Sequence, residues 1–567
     1  MAPAELLMAI TSERGTPDSR AAAPRWVFAV LLVTAIAYQT FENIRSDVFY
    51  LTPDKMHHVI SAEAFLQGLG MSHVLANPRS LAEPVVEPHT LWSTGYSLLL
   101  AGILPLTQDL HGALALIDFL STIVFFAAWW SITAQVEALT GAAGRLFILS
   151  WWALVHSPLG TSTMDASGSS DMLSIALFSV GTWLSLKIVR GGNVLKWAVL
   201  SGLCFSAAAG VRYAYWPLIV AGPVSLLAVT GKGRSRAVLP AVIQLGAAAV
   251  FVAIIKASQP SDAVHTIHDR IEKGFYWTQL STIFPFPANA LGVFSALRSA
   301  GGHWGTDLLA LDGVRVSLWL FSATVAGIAL WAGAVYLRDY YRARDAAREE
   351  TAAALVLATT AAAMAITLAM LCYLTIRVPA DGAWTYGSMP RYYMPAELFL
   401  FLGLAAAFNR VWNRVRSNAS KPRMLALACG LTVIAAGPVG HRIGRIHAMA
   451  AEAHPASAYT TALEAFQREI RELRGRGVPV VYADSDYERV LLAGMAGAWM
   501  LEVKAPRDIP SLDSRGTILV AAAPKGEPDS LCGPLLAGMR ERGARTAAGN
   551  EKFDLLILDL THARGKE

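Results

Sequence analysis

FENIRSDVFYLTPDKMHHVISAEAFLQGLG, residues 41–70, opens a polar stretch that continues through VEPHTLWSTGYSLLLAGILPL, residues 86–106, directly after the apolar segment Trp26 to Phe41. Asp47, Asp54, His57, His58, Glu63, Glu83, Glu87 and His89 are massed here in a chain otherwise dominated by alanine and leucine. Ionisable residues gathered beside a membrane-length segment mark a functional site, because solubility in lipid does not require them. Whether this stretch contains another crossing decides the side on which every later loop falls.

The composition is that of a polytopic membrane protein. Of 567 residues 54% are hydrophobic and only 16% charged, with a mean hydropathy of +0.42, far more apolar than a soluble domain. The formal net charge of +5 comes from arginines that recur one loop at a time between apolar segments, a pattern that implies no nucleic-acid partner. Cys204, Cys372 and Cys429 lie in apolar segments and Cys532 far away in a polar tail, with neither disulfide nor metal spacing. Residues 1–25 read as a cytoplasmic tail. No small-residue cleavage pattern follows Phe41, so Trp26 to Phe41 is expected to be a retained first crossing.

A crossing helix needs about 20 apolar residues. The further candidates are His111 to Val136, Leu146 to Thr161, Ser170 to Val189, Leu195 to Val211, Ala214 to Thr230, Ala237 to Ala257, Val314 to Leu337, Ala352 to Ile376, Pro395 to Phe408 and Met424 to Pro438. Gly95 to Leu106 is ambiguous, and charge resolves it. If it does not cross and the amino terminus is cytoplasmic, Arg145, Lys187, Arg190, Lys196, Lys232, Arg234, Arg236, Arg338, Arg342, Arg344, Arg348, Arg410, Arg414 and Arg416 all fall inside, as positive-inside bias requires. The expectation is an all-α membrane region over residues 26–440 with about 11 transmembrane helices. Residues 42–110 then form one outer unit with juxtamembrane helices.

Other outer pieces follow from this threading. They are SPLGTSTMDASGSSDML with Asp165 and Asp171; AGVRYAYWP with Arg212; the loop 258–313; and IRVPADGAWTYGSMPRYYMP with Arg377, Arg391 and Tyr392. Within the long loop, FYWTQLSTIFPFPANALGVF, residues 275–294, can lie along the membrane against a lipid chain, or simply supply interfacial aromatic anchors. Residues 441–567 turn polar. VPVVYA, GTILVAAA and FDLLILDL alternate with helical stretches, so the tail reads as a small extracytoplasmic α/β domain with a mostly parallel sheet. Asp484 and Asp486 close its first strand, but without a glycine fingerprint.

Asp54 begins the helical pattern DKMHHVISAEAFLQGLG, where an acidic first turn also suits the helix dipole. His57 or His58 shares its face, a sparse set for a divalent metal ion that leaves metal dependence open. Asp171 opens another helix, with Asp165 as its rival. Arg212 interrupts an apolar run and needs an anionic partner or a wet cavity. Arg391, beside Tyr392, can clamp a phosphate bidentately.

The order PDKMHHVISAEAFLQGLG, STGYSLLLAGI, SSDMLSIALF, GVRYAYWPL and PRYYMP resembles the GT-C superfamily of polyprenyl-phosphate-sugar-dependent glycosyltransferases. The nearest likeness is to its bacterial branch of aminoarabinose, lipopolysaccharide galacturonic acid and protein mannosyltransferases. That resemblance implies an inner-membrane hexosyl or pentosyl transferase. It would move a sugar from a polyprenyl-phosphate donor to an envelope lipid, glycan or protein on the outer face. It further implies Asp54 as general base or acceptor-positioning group, Asp171 as a supporting acid, and Arg212 and Arg391 near the donor phosphate. Apart from the resemblance, the position of His57, His58, Asp165 and Tyr392 beside these residues makes them possible members of the site. Lys55 departs from relatives that carry a second acid there. The alternative is a transporter or flippase for a lipid-linked or anionic substrate, whose ionisable residues would lie deep within crossings and not at their ends.

Overall fold

The computed structural model describes residues 53–88, 93–107, 110–141, 170–229, 234–257, 274–283, 285–291, 312–343, 348–378, 390–418, 458–513, 515–525, 531–549 and 552–561. The chain forms two compact units. One comprises Leu116–Ile255 and Ile267–Glu452 together with Met1–Glu42; the other comprises Asn43–Ala115, Lys256–Thr266 and Ala453–Glu567.

The first unit is a helical bundle. Among the described residues its helices longer than two turns are α3 (Leu110–Gln135, which enters the unit at Leu116), α4 (Ser170–Val189), α5 (Val194–Val211), α6 (Ala221–Val229), α7 (Arg234–Ala257), α8 (Asp312–Arg342), α9 (Arg348–Arg377) and α10 (Met394–Asn418). All but α6 contain a segment long and apolar enough to cross a membrane, seven candidate spans among the described residues. They coincide with seven of the eleven segments expected from hydropathy, and Ser170–Val189 does so to the residue. The segments Trp26 to Phe41, Leu146 to Thr161 and Met424 to Pro438 lie outside the described residues.

Ala214 to Thr230 departs from the expected continuous crossing. Arg212 takes an extended backbone (φ −148°, ψ 124°), two 3₁₀ turns follow over Tyr213–Tyr215 and Pro217–Val220, and only then does α6 begin. Pro217 has no N–H to give to the helix ladder, so the run becomes a short, stepped segment.

Small residues let the helices approach. A methyl added to Gly202 would come within 2.5 Å of the Gln244 carbonyl oxygen, and one added to Gly403 within 2.6 Å of that of Ala329. Between α4, α5 and α7, buried Gln244 donates to Ser185 (3.0 Å) and Ser201 (2.9 Å), and these two hydroxyls lie 2.8 Å apart. Such interhelical hydrogen bonds replace the hydrophobic drive that lipid does not supply.

The second unit contains α1 (Pro53–Leu66), β1 (Ser72–Asn77), β2 (Ser80–Pro88), α2 (Thr94–Thr107), α11 (Ala458–Arg474), β3 (Val480–Asp484), α12 (Tyr487–Met495), β4 (Trp499–Glu502), β5 (Ile518–Pro524), α13 (Gly533–Glu541), β6 (Arg545–Ala547) and β7 (Phe553–Asp559). α1 stops at Gly68, whose φ of +80° is the left-handed conformation open to glycine. Gly68 N–H donates to the Phe65 carbonyl and Leu69 N–H to that of Ala64, which closes the helix with a Schellman motif. α2 contains the ambiguous Gly95 to Leu106. At 14 residues it is about 21 Å long, short of the roughly 30 Å hydrocarbon layer.

The seven strands among the described residues form one sheet in the order β2-β1-β4-β3-β5-β7-β6. The expected mostly parallel sheet is corrected to a mixed one. β1 with β4, β4 with β3 and β3 with β5 are parallel, whereas β1 with β2, β5 with β7 and β6 with β7 are antiparallel. The physical reason is that two tight hairpins reverse the chain at the sheet's ends. Pro84 and Pro88 are tolerated in β2 because it is an edge strand. Leu81, Val481, Leu501, Leu519, Leu535 and Leu556 are among the residues that close the core.

Candidate active site

Asp171 stands in the first turn of α4 and Arg212 caps α5, its antiparallel neighbour, so both side chains arise at one end of the bundle. Arg212 Nη1 meets Asp171 Oδ2 at 2.8 Å and donates to Ser170 Oγ at 3.3 Å. Asp171 is 1% exposed and Arg212 11%. The guanidinium carbon lies 5.1 Å from the ring centroid of Tyr392, in the 3₁₀ turn Pro390–Tyr393 before α10. Arg212 has five donors, and only Nη1 is engaged with these partners. Among the described residues Nε and Nη2 have no hydrogen-bond partner.

Two further groups complete the cluster. The buried phenol of Tyr215 feels the charges of Asp171, Arg212 and Glu397. Glu397, 2% exposed in the first turn of α10, was not singled out from sequence. Its signal was an acid inside the apolar run MPAELFLF, residues 394–401, a placement that is costly in lipid unless it serves a site. The structure thus unites Asp171, Arg212 and Tyr392 and adds Tyr215 and Glu397. Arg391 lies in the same 3₁₀ turn by its backbone, while its side chain lies outside what is described. Asp165 lies outside the described residues.

Asp54, His57 and His58 belong to the other unit. Asp54 is half-buried in the first turn of α1, with its charge at the favourable end of the helix dipole. The adjacent histidines diverge. His57 Nδ1 lies 3.3 Å from His73 Nε2 on β1, and its Nε2 lies 2.8 Å from the Tyr487 hydroxyl at the start of α12. His58 Nδ1 instead meets Ser97 Oγ on α2 at 3.0 Å. Burial, with the neighbouring His73 and His58 charges, lowers the His57 pKa to about 2, and burial lowers that of His73 to about 4. The adjacent histidines therefore face different partners. Among the described residues no group of three His, Cys, Asp or Glu could hold a metal ion.

Asp484 and Asp486 have structural partners. Asp484 accepts from the Tyr482 hydroxyl (2.6 Å) and from Arg489 Nε (2.8 Å) and Nη2 (2.9 Å), while Asp486 caps α12 through the amides of Glu488 and Arg489.

No family model and no curated protein matches the chain. Among solved structures, ArnT from Cupriavidus metallidurans bound to undecaprenyl phosphate is 14% identical, with 96% of this chain and 100% of that one covered and a TM-score of 0.45. Its apo form gives a TM-score of 0.43 at the same identity and coverage. The archaeal oligosaccharyltransferase AglB from Archaeoglobus fulgidus, in complex with an inhibitory peptide and a dolichol-phosphate, is 11% identical. That match covers 88% of this chain and 70% of that one, with a TM-score of 0.49. At these values the likeness carries no residue role across, and the functional reading rests on this chain's own side chains.

Proposed function

We propose that the protein is an integral-membrane glycosyltransferase that moves a sugar from a polyprenyl-phosphate donor to an envelope lipid, glycan or protein on the outer face of the bacterial inner membrane. The observation that carries this reading is the Asp171–Arg212 pair beneath Tyr392, with Glu397 and Tyr215 beside it. Desolvating charges at the end of a membrane bundle is expensive, and a bare scaffold does not require it. Asp171 fixes the Arg212 fork, whose remaining donors face a phosphate leaving group together with Arg391. Such preorganised donors stabilise the charge that develops as the bond between the anomeric carbon and the phosphate oxygen breaks.

The likeness of the first-loop motif, and not any placement of one unit against the other, supports Asp54 as the base that takes the proton from the acceptor hydroxyl as that oxygen attacks the anomeric carbon with inversion. Such a base contributes typically about 10² to 10⁴ in rate. The products are the glycosylated acceptor and free polyprenyl phosphate, and the proton passes from Asp54 to solvent.

The test is transfer from a radiolabelled polyprenyl-phosphate sugar by the purified protein in proteoliposomes, with envelope lipid and glycan extracts as acceptors. Product formation that Asp171→Asn abolishes while circular dichroism shows the variant still folded supports the reading. Translocation of the labelled donor without product would replace it with a flippase.

A further inference from the structure

A second cation stands apart from the Asp171–Arg212 pair. Arg377 ends α9, one of the candidate spans. Its guanidinium carbon lies 4.9 Å from the Phe275 ring centroid, and Phe275 stacks on Trp277 at 5.7 Å with 12° between ring planes. The arrangement is built. Tyr276, between the two rings, donates its amide to the Ile376 carbonyl at 2.8 Å, one of the four carbonyls that a helix end leaves without an intrahelical donor. That bond pins the aromatic pair across the carboxyl end of α9, and the 3₁₀ turn Trp277–Thr282 continues from it.

Two properties separate this place from an ordinary interfacial anchor. An arginine at a span's end normally carries its head to water, yet Arg377 Nε is buried and has no hydrogen-bond partner. Arg212 is already balanced by Asp171, whereas Arg377 has no carboxylate among the described residues. The rings beside it are turned outward, Phe275 being 55% and Trp277 62% exposed. A guanidinium with no carboxylate partner among the described residues, beside an exposed apolar platform at the end of a span, matches an amphiphile, with an anionic head for the arginine and a chain for the rings. Phosphate is the head that suits a planar multi-donor fork.

We propose that Arg377, Phe275 and Trp277 form a binding site for the phosphate of a membrane lipid, separate from the Asp171–Arg212 site. Arg377 holds the phosphate oxygens, and the aromatic pair carries the first part of the chain. A polyprenyl phosphate and a glycerophospholipid headgroup present the same chemistry, and direct binding distinguishes them.

The full chain in dodecyl maltoside micelles, which carry no phosphate of their own, is titrated with decaprenyl phosphate, dioleoyl phosphatidic acid and decaprenol, and a parallel titration of Arg212→Met separates out binding at the Asp171–Arg212 site. Arg377→Gln is expected to weaken binding of one or both phosphate-bearing lipids at least about tenfold, the loss of a charge-assisted pair of hydrogen bonds, and to leave decaprenol binding unchanged. Loss confined to decaprenyl phosphate assigns the site to the prenyl lipid, and loss of both assigns it to lipid phosphate in general. Arg377→Lys, which keeps the charge without the fork, and Phe275→Leu, which keeps the bulk without the ring face, are each expected to weaken phosphate-lipid binding by about threefold. Unchanged affinity for both phosphate lipids in a folded Arg377→Gln, or an equal loss of decaprenol, overturns the proposal. Should Arg377→Gln not fold, parent-like binding by the Lys and Leu variants overturns it. No sugar or acceptor enters this assay, so binding through Arg377 in a protein that transfers nothing would refute the transferase reading alone.

Discussion

Asp171→Asn should do more than remove one negative charge. The carboxylate is 1% exposed, its partner Arg212 11%, and the contact is 2.8 Å. Charge centres roughly 4 Å apart at an effective dielectric of about 20 attract by about 4 kcal/mol, and breaking a buried pair typically costs about 3–5 kcal/mol because the survivor stays desolvated. Asp171→Asn and Arg212→Met should therefore each destabilise the protein by about 3–5 kcal/mol. The double variant leaves no orphaned charge and should cost about 2–4 kcal/mol less than the sum. The assay is a double-mutant cycle on equilibrium unfolding in bicelles, with far-UV circular dichroism confirming the folded helices. A coupling energy below about 0.5 kcal/mol would refute the claim that the two residues act as one buried unit, and would remove the main support for a preorganised anion clamp.

Asp54→Asn should abolish sugar transfer and leave the melting temperature within a few degrees of the parent; full activity in the proteoliposome assay removes Asp54 from the role of base. His57 and His73 have folded pKa values of about 2 and about 4, below the ordinary 6.5, so the unfolded chain binds more protons than the folded one at mildly acid pH. Their stabilisation is complete above pH 6.5 and falls below it at about 1.4 kcal/mol per pH unit per histidine, down to about pH 4 for His73 and about pH 2 for His57. Thermal melts from pH 7.5 to 5 should show that loss, with a flatter profile in a His57→Gln/His73→Gln variant. Gly403→Ala, whose methyl would meet the Ala329 carbonyl oxygen at 2.6 Å, should cost about 1–3 kcal/mol in the same unfolding assay. Gln244→Leu breaks two hydrogen bonds but also removes an Oε1 that is buried without a partner, so its cost should stay below about 1 kcal/mol.

The spans were legible because lipid imposes a length and a composition on every crossing. Ser170–Val189 could be bounded from its apolar run alone. The step after Arg212 was less visible. Pro217 was in plain sight, but whether a proline kinks, breaks or is absorbed depends on neighbouring helices that no local window contains. The Asp171–Arg212 pairing was half legible. Each residue stood out as a charge at the end of an apolar run, yet their contact depends on two antiparallel helices closing through a turn. Glu397 escaped because it was counted within a crossing. β1 and β2 escaped for a different reason. SLAEPVVEP carries two prolines and two glutamates, and it is a strand only because it lies along the edge of a sheet whose centre comes from the other end of the chain.

That last pairing has a consequence for biogenesis. Leu75 is in register with Met500, about 425 residues later. At the usual synthesis rate of about 5–20 residues per second, the hairpin emerges roughly 20–85 s before its neighbour exists. During that interval it is an isolated two-stranded ribbon, which is marginal in water. The first loop cannot mature in the order in which it is made. Its completion waits for the tail, so a ribosome that stops before Val480 leaves behind an inserted bundle with an unfinished sheet.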